Sequence, residues 1–505
     1  MTEAPRSTDQ ERLNEYSVER MLAFRQYSER TSTLRVGLVL ILSLSPAFLT
    51  LFLIDVIPLQ DPSRGWRANS SFWIRLFMTA IVAAASCTGH AQVLVPALQL
   101  SLKRTAIIVI GTAIGYTGSL VLLASLWTFP VPYTMALGCA PFVISVSLLT
   151  ILTHGSQDRG VLLAFLRVTR GVGIQSSTVV VYAGYNAIFL KLNEPAQLAF
   201  VLLLPILKYS FKALVSKLHN RSGDDHLLAV QSSIDIFDAL YTTKCMQSTG
   251  SILVGLGVIA IDTAINLRSI YKIAQRTDAM RLMFAAGSRS GTIFSGNDSN
   301  HADNNHKDNN TSEDQDRTHT LVREAMRLLH ECESIAVIEY IETAVPVFYA
   351  LYISVLFHLP NAQYYQDMRH MPINRLHTVV PNILVYALME LASLVWVHRM
   401  LQRIFGISLL RQLAFTLESE WQLFQTYFAA CVLITFQFLL MHNGTLRGLC
   451  VAGIRLDLPV RVDEERYTSL NIERIRCRRF SIFQPYTGRL LWKCRNHVCS
   501  TAAVK

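Results

Sequence analysis

Charged residues are scarce in this chain of 505 residues, since Asp, Glu, Lys and Arg make up only 16% of it. A soluble protein of this length has about a quarter. The sequence also lacks a P-loop, a GxSxG motif, an HExxH motif and the kinase signatures. No CxxC pair occurs among its nine cysteines, so neither a zinc site nor a redox motif is indicated. We therefore expect no enzyme activity, no cofactor and no metal.

The chain is instead rich in apolar residues, which account for 51% of it. Apolar runs of about 18 residues or more recur, and a membrane-spanning helix needs roughly 20. Ten apolar stretches are firm, at approximately 34–58, 76–98, 105–128, 132–153, 173–192, 196–212, 247–267, 334–358, 378–398 and 421–441. Two more, at about 226–243 and 404–417, are marginal. The predicted fold is an all-α polytopic transmembrane helical bundle of about 10 to 12 spans.

Composition shifts along the chain indicate six regions. The region 288–330 is polar, and its centre has almost no apolar residues, which is typical of a disordered insert. The first 33 residues are polar and are expected to form a cytoplasmic arm with a short helix, not a signal peptide. The regions are the arm (1–33), a first bundle half (34–217), an amphipathic segment plus a transmembrane helix (218–287), the insert (288–330), a second bundle half (331–443) and a basic cytoplasmic tail (444–505).

Basic loops decide the expected orientation, because Lys and Arg favour the cytoplasmic side. Such loops also explain the net charge of +10, so no nucleic-acid partner is expected. Twelve spans would keep the basic clusters at Arg268 and Arg399 inside, whereas ten would place them outside. Asn69 begins a glycosylation sequon in a loop expected to be exoplasmic. Three more sequons lie in the insert and favour the opposite side for it, at Asn297, Asn309 and Asn310.

The stretch SSIDIFDALYTTKC, from Ser232 to Cys245, carries two carboxylates in an otherwise apolar segment. Asp235 and Asp238 are three residues apart and share one helical face. One interpretation is an interfacial amphipathic helix with solvated aspartates. The other is a short span whose carboxylates face a cavity and are protonated or paired with a cation.

Further acids lie in the apolar stretches of the second half. Asp262 precedes the basic cluster at Arg268, and Glu339 and Glu342 share a face of the stretch at 334–358. In 378–398, Asn382 and Glu390 belong to one polar stripe. Carboxylates at membrane depth cost at least ~2.5–3.5 kcal/mol, so they tend to face the bundle interior. Two such stripes are able to line a pathway for a cation or proton, or to pair with Lys and Arg and hold helices together.

The central block at about 196–256 resembles a family of multi-pass membrane proteins found in many copies in oomycetes. The resemblance rests on an apolar span, LAFVLLLPILKYSFKALVSKL, followed by SSIDIFDALYTTKCMQ. That family is largely uncharacterised, so the resemblance implies a multi-pass membrane setting and no particular activity.

Two functions are consistent with this sequence. The leading hypothesis is movement of a small solute or ion across a membrane, in which Asp235, Asp238, Asp262, Glu339, Glu342, Asn382 and Glu390 form the site and the acids coordinate a cation or proton. The alternative is a membrane receptor or sensor that signals through its insert and tail to a cytoplasmic partner. In either case the lipid bilayer is a partner, and the expected location is the plasma membrane or an endomembrane.

Overall fold

The computed structural model describes residues 18–443 with several breaks. The main break is 249–304, where only scattered helical residues between 257 and 275 are described. Smaller breaks fall at 133, 155–158, 190–191, 220–226, 366, 370, 407 and 439. Beyond 449 the structure describes only two short strands, β1 (Cys450–Val451) and β2 (Ile454–Arg455), which pair antiparallel within a separate unit of the chain.

The first unit consists of helices. In its described part these are α1 (Val18–Arg30), α2 (Thr33–Leu42), α3 (Ser45–Asp55), α4 (Ser70–Leu94), α5 (Leu102–Leu126), α6 (Thr134–His154), α7 (Arg159–Phe189), α8 (Glu194–Val201), α9 (Leu203–His219), α10 (Leu227–Ser248), α11 (Asn305–His358), α12 (Ile373–Phe405), α13 (Leu409–Ser419) and α14 (Trp421–Phe438). Four short 3-10 helices connect them, at Pro62–Arg64, Pro96–Leu98, Pro360–Tyr364 and Met441–Asn443. α1 is the short helix expected in the N-terminal arm.

Seven helical segments in the described part of the chain are long and apolar enough to cross a membrane. They are Thr33–Asp55, Ser70–Leu94, Leu102–Leu126, Leu137–His154, Pro195–Lys217, Val322–His358 and Ile373–Arg403. The chain is therefore an all-α helical bundle of an integral membrane protein, as predicted, and its environment is a lipid bilayer. The marginal stretch 404–417 falls largely in α13, whose 11 residues extend roughly 16 Å and are too short for a span.

Helix α10, which contains the stretch Ser232 to Cys245, lies in the centre of the bundle. Every residue from 232 to 247 is buried, and α10 packs against α7, α9, α11, α12 and α14. The interpretation of this stretch as a solvated interfacial helix is therefore wrong. The physical reason is that both sides of the helix are covered: other helices supply apolar contacts to one face and basic partners to the aspartates on the other.

The predicted disordered insert overlaps helix α11, which begins at Asn305. Residues 288–304 lie outside the described residues, so the prediction for them stays a prediction. From Val322 onward the chain is part of a bundle helix, in which Met326 and Leu328 are buried. The helix therefore starts before residue 331, because apolar residues at helical spacing precede the continuous apolar run.

One end of the bundle is fixed by a buried polar node around Asp55, the last residue of α3. The Arg75 guanidinium of α4 forms an ion pair with its carboxylate, and both side chains are at most 1% exposed. Three further donors bind the same carboxylate, through Tyr352 Oη at 2.7 Å, Tyr365 Oη at 2.8 Å and Gln437 Nε2 at 2.9 Å. The C-terminal ends of α3, α11 and α14 and the start of α4 therefore meet at this end.

The opposite end is fixed by Arg20 of α1. Its guanidinium binds Glu333 of α11 and lies 2.6 Å from Oε1 of Glu420, which directly precedes α14. Both glutamates are buried. Burial by itself lowers the pKa of Arg20, but the two carboxylates raise it above its ordinary value, so this arginine is charged. The two ends show that α11 and α14 run in the same direction through the bundle.

Candidate functional site

A cluster of carboxylates surrounds Lys208 of α9 in the interior of the bundle. Its Nζ lies 2.7 Å from Oε1 of Glu342 on α11. The same ammonium lies 3.3 Å from Oδ2 of Asp238 and 3.5 Å from Oδ1 of Asp235, both on α10. One lysine therefore joins three carboxylates from two other helices, and the Lys208 side chain is only 17% exposed.

Two more side chains complete the contacts of the aspartates. Lys212, one helical turn after Lys208, places its Nζ 2.6 Å from Oδ1 of Asp235. The hydroxyl of Tyr182 on α7 donates to Oδ1 of Asp238 at 3.0 Å. Helices α7, α9, α10 and α11 thus all contribute to what we call the Lys208 cluster.

Glu339 and Glu390 extend the Lys208 cluster toward α12. Glu339 is 1% exposed and lies one turn before Glu342 on α11, and Glu390 is 3% exposed. Glu390 is close enough to both of these glutamates, to Lys208 and to Tyr386 of its own helix to interact with them electrostatically. Among the described residues the cluster has five carboxyl groups and two ammonium groups. The carboxyl groups belong to Asp235, Asp238, Glu339, Glu342 and Glu390, and the ammonium groups to Lys208 and Lys212.

The Lys208 cluster lies about midway between the two polar ends of the bundle. Along α11, Glu342 follows Glu333 by nine residues and precedes Tyr352 by ten. At 1.5 Å per residue these intervals are roughly 14 Å and 15 Å. The two intervals add up to the thickness of a hydrocarbon core of about 30 Å, so a bilayer bounded by these two ends would have Glu342 near its middle. Five carboxyl groups at this depth cannot all be charged unless cations balance them.

The structure assembles five of the seven sequence-predicted site residues. Asp235, Asp238, Glu339, Glu342 and Glu390 lie in the Lys208 cluster. Asp262 lies outside the described residues. Asn382 is on α12 but exposed, so it is not part of the cluster. The stripe expected from Asn382 to Glu390 therefore divides into one residue on the outer surface and one in the interior.

The glycosylation candidate Asn69 is fully buried in the folded chain. Its Nδ2 donates to the carbonyl oxygens of Gly65 at 2.9 Å and Asp61 at 3.1 Å, and its Oδ1 lies 3.1 Å from Nε2 of His442. A glycan on Nδ2 would displace both donated hydrogen bonds, so the folded structure has no room for one there.

The sequence hypothesis did not include the two lysines as site residues. In the sequence, Lys208 and Lys212 lie at the end of an apolar stretch and resemble the basic residues that flank a membrane span on its cytoplasmic side. Their signal is the i, i+4 spacing inside LLLPILKYSFKALVSKL, which puts both ammonium groups on one face of an otherwise apolar helix. Such a pair demands acidic partners on a neighbouring helix, and the aspartates that follow in α10 supply them.

A second feature is a cavity of about 130 Å³ that is lined by α4, α5, α6, α7, α10 and α14. Its wall is mainly apolar and includes Ala83, Gln175, Phe237 and Tyr427. The Tyr427 hydroxyl lies 3.0 Å from Nε2 of His90, which is 3% exposed. The cavity is separate from the Lys208 cluster, and α10 lies between them.

Comparison with protein-family models, with curated proteins and with solved structures finds no match to this chain. The resemblance of residues 196–256 to the oomycete membrane proteins therefore stays a prediction.

Proposed function

We propose that this integral membrane protein moves a proton or small cation across the bilayer through the Lys208 cluster. The observation that supports the proposal is the excess of carboxyl groups over ammonium groups in the interior of the bundle. With five carboxyl groups and two ammonium groups, the cluster is neutral only if three carboxyl groups hold a proton or a further cation.

The geometry favours a proton over a metal cation. The carboxylates converge on an ammonium group instead of on a shared vacant position. Among the described residues, no group of three His, Cys, Asp or Glu side chains is arranged to hold a metal ion. In a proton-transfer role Glu342 and Glu390 would take up and release the proton, while Lys208 would lower the cost of the ionised state.

The test is proton flux into liposomes that contain the full-length protein. A potassium gradient with valinomycin sets the potential, and an internal pH-sensitive dye reports proton entry. The wild-type protein is expected to increase the rate above that of empty liposomes, and Glu342→Gln and Glu390→Gln are expected to reduce the increase at least tenfold. Each substitution keeps the shape of the side chain and removes its acid.

Asn382→Ala provides the matched control, because Asn382 is a polar residue on a spanning helix but lies outside the cluster. This variant is expected to keep the wild-type flux. Folded wild-type protein without flux would refute the proposal, as would full flux in both glutamine variants. Circular dichroism and size-exclusion chromatography establish that each variant is folded.

A second function, a membrane receptor or sensor, is favoured by the internal cavity beside Tyr427. Such a protein would bind a small molecule in the cavity and transmit the change through the central helix α10. It requires no flux through the Lys208 cluster, so the liposome experiment distinguishes the two functions.

A further inference from the structure

We infer that the cavity beside Tyr427 is a binding site for a small, uncharged, mainly apolar molecule with one hydrogen-bond acceptor. This site is independent of the Lys208 cluster and of the proposed proton movement.

The size of the cavity limits its ligand to a molecule of about one aromatic ring. Its volume of about 130 Å³ is close to that of an engineered apolar cavity of about 150 Å³ that stays dry and binds benzene. A mainly apolar cavity of this size is a poor site for water, because a buried water needs two to four polar partners. A ring of six to ten non-hydrogen atoms fills it.

Most polar groups on the cavity wall already have hydrogen bonds inside the protein. Ser233 donates to the carbonyl oxygen of Val230 at 2.8 Å, and Thr79 donates to that of Arg75 at 2.9 Å. The Tyr427 hydroxyl is bonded to His90. Because these groups are already hydrogen-bonded within the protein, they do not require hydrogen bonds from a ligand.

Gln175 of α7 is different. Its amide lies next to the Tyr427 hydroxyl, but among the described residues no acceptor stands in hydrogen-bond geometry with the buried Nε2. A buried N–H group without an acceptor costs free energy, so it is expected to have a partner in the functional state. An acceptor oxygen on a bound ligand would supply that partner, which is why the ligand is inferred to have one.

The cavity reaches the lipid-facing side of the bundle. Val180, which lines it, is 44% exposed. In a bilayer this surface contacts acyl chains, where small apolar molecules concentrate. The ligand is therefore expected to enter from the membrane and not from the aqueous phase.

Helix α10 contributes to both internal sites from opposite faces. Ser233 and Phe237 line the cavity, whereas Asp235 and Asp238 contact Lys208. At 100° per residue the two faces are roughly 150° apart around the helix axis. A ligand in the cavity therefore touches the same helix that holds the aspartates of the cluster.

The test uses 4-fluorophenol as the probe, with the full-length protein in lipid nanodiscs. Fluorine NMR line broadening reports binding, and empty nanodiscs measure simple partition into lipid. A saturable component that requires the protein is expected. Absence of a saturable component would refute the inference, because the cavity would then bind no molecule of this class.

Two variants with larger side chains fill the cavity. Ala83→Leu and Ala430→Leu each add volume to its wall and are expected to weaken binding at least tenfold. Ala106→Leu on the exposed face of α5 is the matched control and should bind the probe as the wild-type protein does. Undiminished binding in both folded cavity variants would place the probe elsewhere and overturn the assignment.

Gln175→Leu tests the polar contact. It should weaken 4-fluorophenol binding about fivefold and leave 4-fluorotoluene, which has no oxygen, unchanged. An equal effect on both probes would show that Gln175 acts only through packing and would refute the hydrogen-bond assignment. These experiments measure binding of the probe, so a negative result would not depend on whether the protein moves protons.

Discussion

The carboxylate of Asp55 and the guanidinium of Arg75 form an ion pair in which neither side chain has contact with solvent. The pair connects the end of α3 to the start of α4, and hydrogen bonds from Tyr352, Tyr365 and Gln437 extend it to α11 and α14. Removing one partner leaves a buried charge without compensation, which is far more costly than removing both.

The first prediction concerns this pair. Asp55→Asn and Arg75→Gln should each lower the free energy of unfolding by about 3–5 kcal/mol, measured from unfolding midpoints in detergent. The free energy of unfolding of the double variant should fall by at least 1 kcal/mol less than the sum of the two single decreases. The reason is that each single substitution leaves the other group buried without its charged partner. Additive losses, or single losses below about 1 kcal/mol, would contradict the node as described.

The second prediction concerns the attachment of α1. Arg20→Gln should release α1 from the bundle, since Arg20 joins it to Glu333 and Glu420. Protease cleavage within residues 18–30 should accelerate at least tenfold. Arg25→Gln is the control, because Arg25 is exposed and its one ion pair in the described part of the chain is with Glu29 on its own helix, an interaction worth about 0.3–0.5 kcal/mol. Equal cleavage of the two variants would count against the role of Arg20.

The third prediction compares two lysines one turn apart on α9. Lys208→Met removes a cation shared by three carboxylates, whereas Lys212→Met removes one that contacts Asp235. Both substitutions keep a long unbranched side chain. Lys208→Met is expected to lower the unfolding midpoint clearly more than Lys212→Met. The reverse order would show that Asp235 depends mainly on Lys212 and that Lys208 is not the centre of the cluster.

The fourth prediction is a pH dependence from His442. Its Nε2–H faces the carbonyl oxygen of Gln60 at 2.8 Å, and its buried Nδ1 has no hydrogen bond. Burial lowers the pKa of His442 from 6.5 to about 4, with Arg75 also lowering it and Asp61 opposing the shift. The stability that neutral His442 contributes is therefore complete above pH 6.5 and is lost as the pH falls toward 4.

The measurement is the free energy of unfolding between pH 7 and pH 4.5 for the wild-type protein and for His442→Asn. The difference between them isolates the histidine from carboxylates that titrate in the same range. It should change by about 1 kcal/mol per pH unit below 6.5, and for a single group this slope cannot exceed ~1.4 kcal/mol per unit. A constant difference would mean that the folded chain accepts a proton at His442 as readily as the unfolded chain does.

The sequence was sufficient to predict the membrane class, the helical fold and the acids of the cluster, because charge in an apolar stretch is visible without structure. It was not sufficient to decide where α10 lies. A helix that carries Asp235 and Asp238 has the same pattern at a membrane surface as in a bundle centre. The difference is made by Lys208 and Glu342, which are distant in sequence from each other.

The contacts of the buried node around Asp55 could not be predicted from the sequence either. Asp55 and Arg75 are 20 residues apart and look like loop charges beside an apolar run, while Tyr365 joins them from 310 residues away. Only the folded chain shows that they share one site. Residue patterns predict which side chains are costly to bury, and tertiary contacts decide which partner offsets that cost.

The order of the Lys208 cluster along the chain has a consequence for biosynthesis. The lysines of α9 leave the ribosome first and Asp235 and Asp238 follow within 30 residues, whereas Glu342 comes 134 residues after Lys208. At about 5–20 residues per second, the 104 residues from Asp238 to Glu342 take roughly 5 to 21 s, during which α9 and α10 are together without Glu342. The hairpin of α9 and α10 therefore has to balance its own charges during translation, and α11 later docks on an ion pair that already exists.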